Sequence, residues 1–174
     1  MKIAILTVSD GVAAGTRVDE GGPAVRRLVE AAGHEVVCTA VVPDERLAVS
    51  RFLIAEADGG RSELILTTGG TGFAARDVTP EATRAVIDRE APGIAEAMRA
   101  ASLHTTPLAA LSRAVAGIRG RALIVNLPGS PRAVAECLPP LLTPLAHGID
   151  LLQERAIGHP RSARAGASQE TPGA

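Results

Sequence analysis

Apolar and polar positions change regime repeatedly along this chain, and the changes mark its elements. Ile3 to Val8 is a continuous, largely apolar run ended by Ser9-Asp10-Gly11, the pattern of a buried parallel strand leading into a polar turn. Residues 11–22 hold four glycines and mixed charges and are expected to form a loop. Val25, Leu28, Val29 and Ala32 recur at i, i+3, i+4, i+7, which predicts an amphipathic helix with Pro23 in its first turn and Gly33 at its end. Glu35 to Val42 is β-branched and reads as a second strand. Pro43-Asp44-Glu45 then turns into a helix from Glu45 to Ala57, stopped by Asp58-Gly59-Gly60. Glu63 to Thr68 is a third strand that runs directly into Gly69-Gly70-Thr71-Gly72. Thr79-Pro80 opens the next helix, with Thr79 as the expected cap; Pro92-Gly93 interrupts it, and a further helix covers Ile94 to Ser102. Leu111 to Ile118 has weak strand character and Arg121 to Leu127 strong strand character. Pro128-Gly129-Ser130-Pro131 leads, with Ser130 as cap, into a helix to Leu138, which is broken at Pro139-Pro140 and resumes towards Leu152.

This strand–helix alternation predicts an α/β fold: one domain over residues 1–155, with a mostly parallel sheet covered on both faces. Residues 156–174 carry Gly, Pro, Ser and Arg with little apolar content and are expected to be a disordered tail.

Composition narrows the function more than the fold. Net charge is −1, so no whole-molecule field recruits nucleic acid or an anionic membrane. Phe52 and Phe73 are the only aromatics, which removes the stacking platforms that grip single-stranded nucleic acid. Lys2 is the only lysine, so a lysine-dependent phosphate loop has no candidate. Cys38 in an apolar run and Cys137 in a helical pattern read as buried reduced thiols. The opening apolar run is too short for a signal peptide and no segment approaches a membrane span, so a cytoplasmic protein is expected.

Ligands of open parallel sheets bind beyond the carboxyl ends of the strands. Ser9-Asp10-Gly11, Pro43-Asp44-Glu45, Gly69-Gly70-Thr71-Gly72 and Asn126-Leu127-Pro128-Gly129-Ser130 all fall there and are expected to converge on one edge. Three glycines in four residues bring backbone N–H groups close to an anion, and Thr71 adds a hydroxyl. On composition alone this loop is as readily a structural turn. Asp44 and Asp77 lie at strand-to-helix turns, where a carboxylate either balances a helix terminus or holds magnesium, which needs only one or two carboxylates besides substrate phosphates. The histidines show no paired metal-ligand spacing, and no G-x-S-x-G supports a serine hydrolase.

Thr67-Thr68-Gly69-Gly70-Thr71-Gly72-Phe73 followed by Arg76-Asp77-Val78-Thr79-Pro80-Glu81-Ala82-Thr83 resembles the signature of the MoaB/Mog family of molybdenum cofactor biosynthesis proteins. Leu111-Ser112-Arg113, Gly117-Ile118-Arg119-Gly120, Ile124 to Pro131, Ala135-Glu136-Cys137 and the opening Val8-Ser9-Asp10 extend the resemblance, in order, over about residues 1–152. It implies a three-layer α/β/α sandwich of molybdopterin-binding-domain type, usually a homotrimer, similar to the corresponding domains of the plant protein Cnx and of gephyrin. It also implies transfer of AMP from ATP to the terminal phosphate of molybdopterin, with the product passed to a molybdenum-insertion enzyme. Asp77 and Asp44 occupy the family's essential aspartate positions and become the catalytic and Mg2+-holding candidates. The substrate contacts implied are Ser9, Asp10, Gly69, Gly70, Thr71, Gly72, Ser112, Asn126, Pro128, Gly129 and Ser130. The chain departs from some bacterial Mog-type members by running compactly from Cys137 to Leu152, without their insertion. The alternative from another class is a non-catalytic molybdopterin carrier or scaffold of the MoaB type.

Overall fold

The computed structural model describes residues 1–155; the expectation for 156–174 lies outside the described residues. In chain order the elements are β1 (Lys2–Val8), α1 (Asp10–Ala13), α2 (Gly21–Ala31), β2 (Glu35–Val42), α3 (Arg46–Asp58), β3 (Leu64–Thr68), α4 (Thr79–Arg84), β4 (Arg89–Glu90), α5 (Pro92–Leu103), β5 (Ala116–Arg119), β6 (Ala122–Leu127), α6 (Pro131–Cys137) and α7 (Leu142–Leu152). Short 3-10 turns at Pro107–Leu111 and Pro139–Leu141 complete the path.

The strands form one six-stranded sheet in the order β2-β1-β3-β6-β5-β4. β2, β1, β3 and β6 run parallel, while β5 is antiparallel to both β6 and β4. The central strands are largely apolar because both faces are covered, with Thr7, Thr67, Thr68 and Asn126 as buried polar positions towards their carboxyl ends. Ile3, Ile5, Leu64, Leu66, Leu123, Val125 and Leu127 point to one side, where α2, α5, α6 and α7 supply Val25, Val29, Met98, Val134, Leu145 and Ile149. Ala4, Leu6, Val8, Ile65 and Ile124 point to the other, against Val49 and Leu53 of α3 and Ala82 of α4. The period-2 alternation of β-strand side chains thus builds two cores from one sheet, giving the expected α/β/α sandwich.

Several local expectations change. The loop after β1 contains one helical turn, α1, capped by Ser9, whose Oγ accepts from the Val12 amide at 3.4 Å. α2 starts at Gly21, inside the expected 11–22 loop, and holds Pro23 in its first turn as expected. Thr79 is the first residue of α4 and not its cap, since its hydroxyl donates to the Gly69 carbonyl at 2.9 Å. Ser130 precedes α6 without a side-chain capping bond. The weak strand expected over 111–118 shifts to Ala116–Arg119, and β4 carries only two exposed charged residues, too little pattern to read. Cys137 is fully buried, which pushes its thiol up to about 12, whereas Cys38 is only partly buried.

Candidate functional site

The parallel strands β1, β2, β3 and β6 end on the same edge of the sheet, and the loops that follow them meet there. The loop after β3 makes the tightest approach. Gly69 has φ +99° and Gly70 φ +62°, conformations that side chains resist. A Cβ at Gly69 would lie 2.3 Å from the Val8 carbonyl oxygen. One at Gly70 would lie 2.5 Å from Thr79 Oγ1 and 3.0 Å from Asp44 Oδ1. These glycines therefore let β3 turn sharply against the end of β1 and beside the Asp44 carboxylate. Thr79 holds the turn through its hydroxyl bond to Gly69 O and its amide bond to Gly70 O at 3.1 Å.

The aspartates are held by backbone. Asp10 N–H donates to Asp44 Oδ2 at 2.7 Å, and Asp44 N–H donates back to Asp10 Oδ1 at 3.0 Å. This reciprocal pair ties the β1 turn to the β2 turn. Arg76 grips Asp10 with Nε and Nη2 at 2.9 and 2.8 Å, the bidentate fork a planar guanidinium makes with a carboxylate. That pairing holds the Asp10 carboxyl below its usual range. Asp44 moves the opposite way: burial raises it first, and the neighbouring carboxylates of Asp10 and Asp77 push it further, against the amide bond from Asp10. Asp77 Oδ2 accepts from the Ala74 amide at 2.8 Å, closing the turn that aims the side chain.

Two clefts flank these loops. The polar one, about 340 Å³, is lined by Ser9, Asp44, Gly69, Gly70, Asp77, Gly129 and Ser130, and it opens between the ends of β1 and β3 and the start of α2. Arg17, Asp19 and Glu20 also face it. The second, about 260 Å³, is largely apolar and is lined by Thr71, Gly72, Met98, Leu108, Leu111, Ser112 and Pro128 among others. The glycine loop and the Pro128–Ser130 turn contribute to both clefts, so they form the ridge between them. Thr68 Oγ1 donates to the Pro128 carbonyl at 2.8 Å and fastens the two loops together.

The expected contacts thus divide. Ser9, Asp44, Asp77, Gly69, Gly70, Gly129 and Ser130 face the polar cleft; Thr71, Gly72, Ser112 and Pro128 face the apolar one; Asp10 sits behind Asp44 as its anchor. Asn126 reaches neither lining. It is fully buried, accepts from the Val115 amide at 3.2 Å, and donates to the Thr67 and Thr83 hydroxyls at 3.1 and 2.9 Å. Its place is in the frame that joins β6, β3 and α4. Arg17, Asp19 and Glu20 were not singled out from the sequence, although polar residues just before Gly21-Gly22, after the first strand, were the available signal. Arg99 and Ser102 of the apolar cleft come from α5 and carry no local signature, while Glu136 of α6 lies in the Ala135-Glu136-Cys137 motif, from which no site role was read.

Asp44 and Asp77 fit a hard divalent cation. Each uses one carboxylate oxygen on a backbone amide, leaving an oxygen-only donor pair at the cleft. Among the described residues no group of three or more His, Cys, Asp or Glu side chains could hold a metal alone, so ligands from a bound phosphate would complete the shell, as magnesium requires.

The probable molybdopterin binding domain model of molybdenum cofactor biosynthesis proteins matches residues 4–147. The molybdopterin adenylyltransferase of Haemophilus influenzae is 46% identical over 140 residues, covering 79% of this chain and 71% of that protein. The structure of the molybdopterin biosynthesis enzyme MoaB from Thermus thermophilus superposes with a TM-score of 0.83 at 48% identity, covering 88% of this chain and 97% of that one. The Mog protein of Mycobacterium ulcerans superposes with a TM-score of 0.80 at 39% identity, covering 87% and 98%. With a family model spanning nearly all of the described fold, and with both clefts built from the loops inside that span, the chain belongs to the molybdopterin-binding-domain family of molybdenum cofactor biosynthesis proteins.

Proposed function

We propose that the chain is a molybdopterin adenylyltransferase, transferring AMP from ATP to the terminal phosphate of molybdopterin and releasing pyrophosphate. The observation that carries the reading is the pair of clefts sharing one glycine ridge, with Asp44 and Asp77 on the polar side. The apolar cleft suits the pterin. The polar cleft suits the nucleotide, and the acceptor phosphate meets the nucleotide where the Gly69–Gly72 and Pro128–Ser130 loops offer backbone. Relatives that bear the name of this activity share 38–46% identity over most of the chain, which supports it.

In the transfer, an oxygen of the molybdopterin phosphate forms a bond to the α-phosphorus of ATP. The bond from that phosphorus to the bridging oxygen breaks, and pyrophosphate leaves with the electron pair. The nucleophile is a phosphate monoester already ionised at neutral pH, so no general base is needed. Catalysis then rests on placement and on charge neutralisation. Of the ionisable side chains lining the polar cleft, Asp19, Glu20, Asp44 and Asp77 are acidic and Arg17 alone is basic, so a polyanion would be repelled from an unneutralised site. Mg2+ held by Asp44 and Asp77 would supply that neutralisation. Gly69 and Gly70 let the loop pass close to phosphate oxygens, and Ser9 and Ser130 add hydroxyls at the rim.

A homotrimer, a cytoplasmic setting and a downstream molybdenum-insertion enzyme belong to the same proposal. No helix among the described residues is long and apolar enough to cross a membrane. The test is pyrophosphate release from ATP on addition of purified molybdopterin, with and without Mg2+. Release that needs both supports the transferase; a folded chain that binds molybdopterin but releases nothing is a carrier or scaffold instead.

A further inference from the structure

Arg113 faces neither cleft, yet its contacts bind the site together. Its own amide donates to the Thr71 carbonyl at 3.0 Å. Its guanidinium Nε donates to the Gly72 carbonyl at 2.7 Å and its Nη2 to the Asp77 carbonyl at 2.5 Å. Nη1 pairs with the Glu81 carboxylate on α4. One side chain thus clamps both ends of the Gly72–Asp77 turn and fixes that turn to the helix behind it. The preceding residues, Leu111 and Ser112, line the apolar cleft, and the Ser112 hydroxyl accepts from the Ala114 amide at 3.3 Å. Arg113 therefore stands on the backbone segment that one cleft touches and holds the carboxylate-bearing turn that the other cleft needs.

We infer that Arg113 is a positioning residue that fixes Asp77 against the glycine ridge and links its placement to occupancy of the apolar cleft. Three acceptors in different directions call for a guanidinium, because a planar fork presents several fixed donors where an ammonium presents one compact charge. Lysine at this position keeps the charge beside Glu81 but cannot span the Gly72 and Asp77 carbonyls together. The turn is then released while the fold's charge balance is kept. The kinetic and ATP-binding consequences of this inference rest on the transferase reading; its consequence for hydrogen exchange on molybdopterin binding does not.

The experiment compares the parent with Arg113→Lys and, as a control for lost packing and hydrogen bonds, Arg119→Ala. Arg119 bonds to Asp58 and to the Val86 carbonyl, away from both clefts. Residues that orient metal-holding groups are typically worth roughly 10- to 100-fold in metal affinity or activity. Arg113→Lys is therefore expected to lower kcat by that factor, with the KM for molybdopterin within threefold of the parent. Arg119→Ala is expected to lower the melting temperature and leave kcat unchanged. An unchanged kcat in a folded Arg113→Lys variant, or an effect confined to KM, overturns the inference. If the parent turns nothing over, the transferase reading fails separately, and the same variant is read by Mg2+-dependent ATP binding where the parent retains it. Weakened binding matching that of Asp77→Asn supports the inference, and parent-like binding overturns it. A third readout needs no variant: molybdopterin alone is expected to slow hydrogen exchange at the Ala74 and Asp77 amides of the parent. Unaltered exchange there under saturating molybdopterin contradicts the link between the clefts.

Discussion

Asp44 and Asp10 show how two carboxylates joined through their backbones are driven apart electrically. Arg76 stabilises the charge on Asp10, while burial and two neighbouring carboxylates oppose the charge on Asp44. If Asp44 must be ionised to hold the cation, Mg2+-dependent ATP binding should fall on the acid side, with a midpoint raised relative to an unperturbed aspartate by burial and the neighbouring carboxylates. Arg76→Ala removes a positive neighbour that lowers Asp44 and should move that midpoint to still higher pH; binding titrations across pH check both. The stability signs are opposite for the two groups. Asp10, lowered in the fold, contributes stability that is lost as pH falls through its folded value. Asp44, raised in the fold, costs stability when ionised, and the cost is relieved as pH falls through its folded value. Asn126 belongs to the frame, so Asn126→Ala should leave the buried Val115 amide unpaired and cost about 2–3 kcal/mol, read by urea unfolding. Asp44 and Asp77 were legible as candidates because a turn after a parallel strand is where such a carboxylate acts. Asn126 lay in an equally plausible turn motif, yet the β6 backbone carries its side chain inward, a direction that adjacency to a loop does not reveal.

At the scale of elements, the glycine loop is the part whose shape leaves least freedom. Gly69→Ala would place a Cβ 2.3 Å from the Val8 carbonyl at a φ of +99°, and neither the strand end nor the turn can yield easily. A loss of more than about 2 kcal/mol is expected from the strained conformation together with the clash, measurable by denaturant midpoint. Gly70→Ala acts differently, because its Cβ would press on Asp44 Oδ1 and Thr79 Oγ1. Its loss should appear in Mg2+-dependent ATP binding as well as in stability. The apolar runs of β1, β3 and β6 were readable because strands buried on both faces are apolar at most positions, with no polar face to alternate. β4 was not, since two exposed charged residues join the sheet only through pairing with β5. Thr79 and Ser130 had cap chemistry at helix starts, but tertiary partners decided their roles: Thr79 serves the glycine loop and Ser130 faces the cleft.

For the whole molecule, one sheet edge gathers the chemistry while both helical layers hold the sheet rigid beneath it. The ridge shared by the two clefts follows from strand order, because β3 lies between β1 and β6 and its loop must sit between theirs. The expected homotrimer should give a scattering mass of about three chains, and a monomeric mass would count against it. Transfer of the α-phosphorus of ATP to molybdopterin tests the account most directly. With ATP labelled at that phosphorus, molybdopterin and Mg2+, the parent should place the label on the pterin product and release unlabelled pyrophosphate. Asp77→Asn, folded to the same degree, should lose roughly 100-fold or more of that rate, the scale on which electrostatic stabilisation of a transition state is typically lost. Label that stays with the nucleotide in the presence of a molybdopterin-bound parent, or transfer that is undiminished in Asp77→Asn, would contradict it.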